Sequence, residues 1–269
     1  MAIISLQSAA SALSALNTAM DVTANNLANV NTAGFKASRA NFQDLLYIER
    51  QQPGVENGLG DQRPTGLYIG LGVKVAGTQL DFTQGSAITT GRPLDVLIDG
   101  MGFFQVQVPD SVSGDGLAFT RAGQLTLNAD GEIVLATDPG RRLSPTFTIP
   151  EDAKEVTITP DGRVVYTTAN DPEPQEAGQF ETAVFVNPAG LKQVGENLFV
   201  ATAASGPPIA GEPGTDNRGQ IRSGVYEASN VDPTRELIEL IRVQRAFEMN
   251  SNTIRAADET LRAVSQLRR

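Results

Sequence analysis

The chain contains no histidine, no cysteine and no tryptophan. Without the first two, the commonest general base, the thiolate nucleophile, the disulfide and most zinc or copper sites are excluded together. A carboxylate-only hydrolase or a calcium site stays open. The missing cysteine leaves the redox compartment undecided, because a disulfide-free chain survives in either. Aromatics make up only 6% of the 269 residues, so the core has to be built from Leu, Ile, Val, Ala and Phe. No stretch approaches the roughly 20 apolar residues that a membrane span needs. No Lys or Arg precedes Lys36, so a cleavable secretory signal is not expected.

Charge is scarce at one end and balanced at the other. Residues 1 to 35 hold a single acid, Asp21, and residues 232 to 269 set six acids against seven arginines. The two ends together are neutral, and the middle carries the whole net charge of -10. An acidic middle argues against binding nucleic-acid backbones or anionic lipid.

Leu6, Ala9, Leu13, Leu16, Met20, Thr23 and Leu27 recur at alternating spacings of three and four, which predicts an N-terminal helix with a heptad seam. Ala and Ser fill most of its remaining positions, making a thin helix that can be approached closely. Leu240, Val243, Phe247, Asn250, Ile254, Ala257, Leu261 and Val264 repeat the alternation near the other end. Asp232 before Pro233 reads as N-cap and first helical residue. From there the helix can run to about 37 residues, roughly 55 Å. Its outer face pairs Glu239 with Arg242 and Arg245 with Glu248 at i,i+3.

Between the ends the helical period disappears. Short runs rich in Val, Ile, Thr and Phe, such as GFFQVQV, QLTLN, EIVLA, EVTIT and RVVYTT, are separated by turn signals. This is the pattern of an antiparallel all-β domain, with hairpin turns at Asp130-Gly131 and Asp161-Gly162. Gln51 to Gly66, Asn170 to Gly178 and Ser205 to Gly219 are rich in Gly, Pro and charge and read as loops or linkers. The fold class expected is therefore α+β. Long N- and C-terminal helices (1–32 and 231–269) pair as a coiled-coil-like domain, an extended linker occupies 33–75, and a central antiparallel β domain spans 76–230.

No catalytic constellation emerges. Asp95, Asp99, Asp130, Glu132 and Asp161 invite a glycosidase reading, but Asp99, Asp130 and Asp161 each precede a glycine and suit turns. No calcium loop of the EF-hand pattern is present. Gly100-Met101-Gly102 lacks the third glycine and following helix of a nucleotide fingerprint. No enzyme activity, cofactor or metal is expected.

The segment NNLANVNTAGFK, Asn25 to Lys36, reads better as structural punctuation. Asn29 and Asn31 can end the helix by adopting left-handed backbone and bonding locally. Gly34 permits a sharp redirection, and Phe35 can anchor the extended chain that follows. Asn25 and Asn26 lie too far inside the helix for that role. Their amides are expected to bond between chains and fix register.

ANNLANVNTAGFK and SNVDPTRELIELIRVQRAFEMNSNTIRAADETL resemble the N- and C-terminal motifs of the flagellar basal-body rod and hook proteins. Between them, GFFQV followed by AFTRAGQLTLNADGEIV resembles the β-domain core of the rod proteins. Leu45 to Val75 is similar to the insertion that sets the straight distal rod apart from the flexible hook. The likeness covers nearly the whole chain and departs at the N-terminal start and at Ser205 to Gly214.

The resemblance implies a structural subunit of the distal rod that self-assembles into a rigid helical tube. The tube would be both drive shaft and export channel in a basal-body rod spanning the periplasm. It implies export through the flagellar type III apparatus without signal cleavage. The implied partners are copies of the chain, proximal rod proteins, the hook protein, the surrounding ring (bushing) proteins and the export apparatus, with no nucleic acid and no membrane insertion. The polymer interface would use Leu6, Leu13, Leu16, Met20, Asn25, Asn26, Leu27, Asn29, Leu240, Val243, Phe247, Ile254 and Leu261. Asn31, Gly34, Phe35 and Lys36 would turn the helix into the linker, and Gln51, Pro53, Gly54, Arg63, Pro64 and Gly66 would stiffen the rod. Two alternatives stand beside this reading: a proximal rod or hook subunit, and a secreted β-domain hydrolase or glycan-binding module.

Overall fold

The computed structural model describes residues 2–55, 63–168 and 173–267. Parts of the irregular stretches at Gln51 to Gly66 and Asn170 to Gly178 lie outside the described residues, as does the side chain of Val264. An N-terminal helix, a β-rich middle and a C-terminal helix make the chain an α+β protein. It divides into two compact units, each discontinuous in sequence. A helical unit comprises residues 1–27, 38–79 and 232–269, and a β unit comprises 28–37 and 80–231. The stretch expected as an extended linker thus falls mostly with the helical unit, and residues 28–37, the last of α1 and the nine after it, fall with the β unit.

The helical unit begins with α1 (Ala2–Ala28). It continues through β1 (Ser38–Asp44), β2 (Tyr47–Gln51), β3 (Leu67–Gly70) and β4 (Val73–Leu80). β1 pairs with β4, and β2 pairs antiparallel with β3 with Tyr47 opposite Gly70. Backbone bonds from Leu45 N to Gly72 O (2.8 Å) and Leu71 N to Leu46 O (3.1 Å) join the two pairings into one long ribbon. The ribbon lies on the Ser face of α1. Val73 N donates to Ser11 Oγ at 3.2 Å, and a side chain at Gly72, whose φ is +115°, would collide with Ser11. Small residues on the helix permit that approach.

The β unit holds β5 (Ala87–Thr89), β6 (Val96–Asp99), β7 (Phe103–Gln107), β8 (Leu117–Thr120), β9 (Leu125–Leu127), β10 (Ile133–Leu135) and β11 (Leu143–Ser144). After these come β12 (Ala153–Ile158), β13 (Arg163–Thr168), β14 (Gln175–Gln179) and β15 (Thr182–Val184). The last are β16 (Lys192–Gly195), β17 (Leu198–Val200), β18 (Ile209–Gly211), β19 (Gln220–Ser223) and β20 (Val225–Glu227). The largest sheet has the order β16-β17-β8-β7-β15-β18, with β11 also on β7. Successive side chains of β7 point to opposite faces, as strand geometry requires, so Phe103 and Phe104 enter different apolar clusters. Phe104 joins Val96, Val106, Leu125 and Ile221. Phe103 joins Phe119, Phe185 and Phe199, and Phe119 meets Phe185 edge to face at 4.8 Å. Phenylalanine supplies the bulk that tryptophan does not.

Gly131 and Gly162, both at positive φ, turn the hairpins β9–β10 and β12–β13. β14 and β18 arise within stretches expected to be irregular.

α2 (Pro233–Leu267) completes the chain with 35 residues, about 52 Å of helix. Asp232 caps it, its Oδ1 accepting from Thr234 N at 2.9 Å and from Arg235 N at 3.3 Å. Arg242 pairs with Glu239 at 2.7 Å on the outer face. Among the described residues no helix is long and apolar enough to cross a membrane.

Candidate functional site: the terminal motifs and the ribbon

The residues singled out around the end of α1 do not form one simple turn. The helix ends at Ala28, where Thr32 N donates to Asn29 O at 3.1 Å and Thr32 Oγ1 lies 3.1 Å from Asn29 Oδ1. Neither Asn29 nor Asn31 takes a positive φ; the left-handed residue is Gly34, at +68°. A Cβ there would sit 2.5 Å from the backbone nitrogen of Ala122. Thr32 therefore bonds back to Asn29 at the helix end, and the redirection falls to Gly34, which alone fits against the Arg121–Ala122 backbone.

Gly34, Phe35 and Lys36 are buried in the β unit. Gly34 N donates to Glu227 O at 2.8 Å, and Asn230 N to Phe35 O at 3.4 Å. Ala37 N donates to Asn230 Oδ1 at 2.7 Å, and Asn230 Nδ2 reaches Asp81 O at 2.8 Å. Lys36 Nζ donates to Glu227 Oε1 at 2.6 Å and to Thr83 O at 2.7 Å. Glu227 Oε1 also accepts from Gly85 N at 2.8 Å.

On the far side of that carboxylate, Arg121 Nη1 lies 3.5 Å from Glu227 Oε2. Its Nη2 donates to Gly100 O at 2.8 Å, and its guanidinium sits 5.2 Å over the Phe103 ring. Loss of hydration holds both Lys36 and Arg121 below their ordinary pKa values, and the Glu227 carboxylate pulls each partly back.

In the helical unit the two asparagines separate. Asn25 is exposed and Asn26 is 2% exposed. Asn26 Nδ2 donates to Ser38 O at 2.8 Å and to Glu236 Oε1 at 3.3 Å, and its Oδ1 accepts from Ser38 N at 2.9 Å. The amide expected to bond between chains is thus engaged within one. It ties the end of α1 to the root of the ribbon and the first turn of α2. Burial, and secondarily the Glu239 and Asp232 charges, raise the pKa of Glu236, while the Asn26 bond offsets part of the rise.

The seam residues are covered unequally. On α2, Val243 is buried, Leu240, Phe247 and Ile254 are half-buried, and Leu261 is exposed. On α1 the buried positions are Ala9, Ala15, Ala19, Thr23 and Asn26, while Leu6, Leu13, Leu16, Met20 and Leu27 stay half-buried. The α1 helix thus turns its small residues inward. A further apolar set on α2, Leu237, Ile238, Ile241 and Met249, is exposed.

The ribbon brings the insertion residues together. Gln51 opposes Leu67, Gly54 N donates to Arg63 O at 2.8 Å, and Arg63 N to Val55 O at 3.2 Å. Pro53, Pro64 and Gly66 sit at this end, where a side chain on Gly66 would strike the Tyr68 ring. Leu46, Tyr47, Val55, Leu67 and Tyr68 are exposed along it, Leu46 at 82%. An isolated two-stranded ribbon is marginal in water, and among the described residues this one carries exposed apolar side chains.

Three of the carboxylates that invited a catalytic reading have partners within the β unit. Asp95 accepts from Thr90 Oγ1 at 2.6 Å, Glu132 pairs with Arg142 at 2.9 Å and Asp99 with Arg222 at 3.6 Å. Among the described residues no three His, Cys, Asp or Glu side chains gather to hold a metal ion.

Sequence reasoning missed Ser38, Arg121, Glu227, Asn230 and Glu236. One signal was available: Val225 and Glu227 share the buried face of β20, so strand alternation places a carboxylate where an apolar residue is the norm.

Three family models match the sequence. They are the flagella basal body rod protein model over residues 6–36, the flagellar hook protein FlgE/F/G D1 domain over 97–166, and the flagellar basal body rod FlgEFG protein C-terminal model over 222–267. The flagellar basal-body rod protein FlgG of Caulobacter vibrioides is 42% identical over 264 residues, 98% of each chain. That of Agrobacterium fabrum is 42% identical over 96% of this chain and 97% of its own. The FlgF rod protein of Caulobacter vibrioides is 33% identical over 85% of this chain and 83% of its own.

Proposed function

Because the chain belongs to the flagellar basal-body rod protein family, as a structural subunit of the distal rod and not an enzyme, we propose that its copies polymerise into a rigid helical tube. The tube transmits torque from motor to hook and carries export through its bore. The observation that carries this reading is the uncovered apolar surface of the helical unit, on the ribbon and on the exposed positions of α2. Surfaces of that kind mark an interface. A subunit whose interface is heterologous and does not close builds an open helical filament.

In the filament, α1 and α2 of neighbouring copies pack in coiled-coil fashion around the bore. Leu6, Leu13, Leu16, Met20 and Leu27 meet Leu240, Phe247, Ile254 and Leu261 across chains, with Val243 holding the seam within one. The ribbon from Gln51 to Gly66 lies against a neighbour and prevents sliding. The acidic charge of the β unit keeps the shaft hydrated inside its ring. Proximal rod proteins, the hook protein, the ring proteins and the export apparatus are the further partners, and the subunit reaches the periplasm without signal cleavage.

Deleting Gln51 to Gly66 tests the reading by electron microscopy of the polymer. Filaments that bend support the stiffening role, and filaments as straight as the parent refute it.

A further inference from the structure

The buried triad of Lys36, Arg121 and Glu227 is not accounted for by assembly, because its side chains are 0%, 5% and 1% exposed and offer nothing to a neighbour. Its position is informative. Lys36 and Glu227 lie 191 residues apart in sequence. Their contact draws together three passages of the chain: Gly34–Ala37 after α1, Asp81–Gly85 at the entry to the β unit, and Glu227–Asn230 before α2.

The charges do not balance pairwise. Two cations share one carboxylate, and among the described residues the only other anion acting on Lys36 is Asp81, through space. Removing Glu227 leaves two buried like charges, whereas removing either cation leaves a neutral pair.

We propose that Lys36, Arg121 and Glu227 form a charge latch by which Gly34–Ala37 closes the β unit as a detachable edge piece, so that the segments leading to the two terminal helices engage and release together. The segment is bound as a ligand would be, through backbone bonds at Gly34 and Phe35, an Asn230 clamp at Ala37 and one buried ion pair. Because the contributors come from both ends of the sequence, the β unit cannot close until both are present. Whichever end of the chain leads, closure comes last.

Hydrogen exchange on the full-length chain tests the latch at the amides of Gly34, Ala37 and Gly85, with Ile133 and Val164 in the core as internal references. Glu227→Gln should speed exchange at the three latch amides about 100-fold or more while the references stay within about threefold, because an uncompensated buried charge opens its surroundings locally. Lys36→Met, which leaves the Arg121–Glu227 pair neutral, should give a smaller acceleration at the same amides. The double variant Lys36→Met/Glu227→Gln should exchange more slowly there than Glu227→Gln alone, because the like charges are relieved.

Unchanged latch amides, or a double variant faster than the single, would overturn the latch. Uniform loss of protection across latch and core would also overturn it, since that would make Glu227 an ordinary core residue. If Glu227→Gln does not fold, the Lys36→Met chain decides by the same contrast between latch and reference amides.

Discussion

The helical unit and the β unit bury their chain in opposite ways. In the β unit the largest side chains go inside, Phe104, Phe119 and Phe180 among them at 1–2% exposure. In the helical unit the buried hydrophobics among the described residues are Ala9, Ala15, Ala19 and Val243, while leucines, isoleucines and tyrosines remain at the surface. One unit buries most of its bulk, with Met101, Val186 and Ile209 left exposed on it. The other holds its apolar area in reserve, and its internal order rests on polar bonds such as those of Asn26 and Ser11 rather than on a core.

The contrast can be broken first at its strongest point. Phe119→Ala should cost the β unit about 3–5 kcal/mol, read as a lower urea midpoint of its unfolding. A loss under about 1 kcal/mol would mean that the aromatic cluster is not its core.

Asn26→Ala should cost the helical unit about 1–3 kcal/mol, because it leaves the half-buried Ser38 amide and carbonyl without their partner. The loss should appear in the helical circular-dichroism transition and leave the β transition in place. Asp232→Ala removes the α2 cap and should cost about 1 kcal/mol in the same transition.

Acidity sharpens the comparison further, because the two units respond with opposite sign. Glu236 has its pKa raised by burial in the folded state, so its contribution to the helical unit is full below the ordinary glutamate value. That contribution is lost as pH rises through the raised one. Lys36 has its pKa lowered. The unfolded chain therefore holds the proton longer, and this contribution to the β unit grows as pH rises from the lowered value to the ordinary lysine one. Denaturant titrations across pH should show the first slope vanish in Glu236→Gln and the second in Lys36→Met.

The smallest effect on the monomer is expected at the surface. Ile241→Ser should change its stability by less than about 0.5 kcal/mol yet reduce polymer yield in a sedimentation assay. An unchanged yield would remove α2's exposed positions from the interface.

What the sequence disclosed follows the same division. Both helices were legible because a period near 3.5 persists over their full length, and the hairpins at Asp130-Gly131 and Asp161-Gly162 were legible because their turn chemistry is local. β1 to β3 were not, since a ribbon open to solvent on much of its surface shows little of the alternation by which a half-buried strand is recognised. β14 and β18 were hidden in Gly- and Pro-rich stretches because backbone pairing alone defines them. Gly34 and Phe35 stood out as a redirection, but the partners of Lys36 are distant in sequence, and no local pattern points from one buried charge to another.

The division between the units is tested most directly by hydrogen exchange compared between the purified monomer and the assembled polymer. Amides of α1, α2 and the ribbon should gain protection on assembly by orders of magnitude, while those of β7, β8 and β13 stay as they were. Helices already as protected in the monomer as in the polymer would contradict it, for then the helical unit would be as self-sufficient as the β unit.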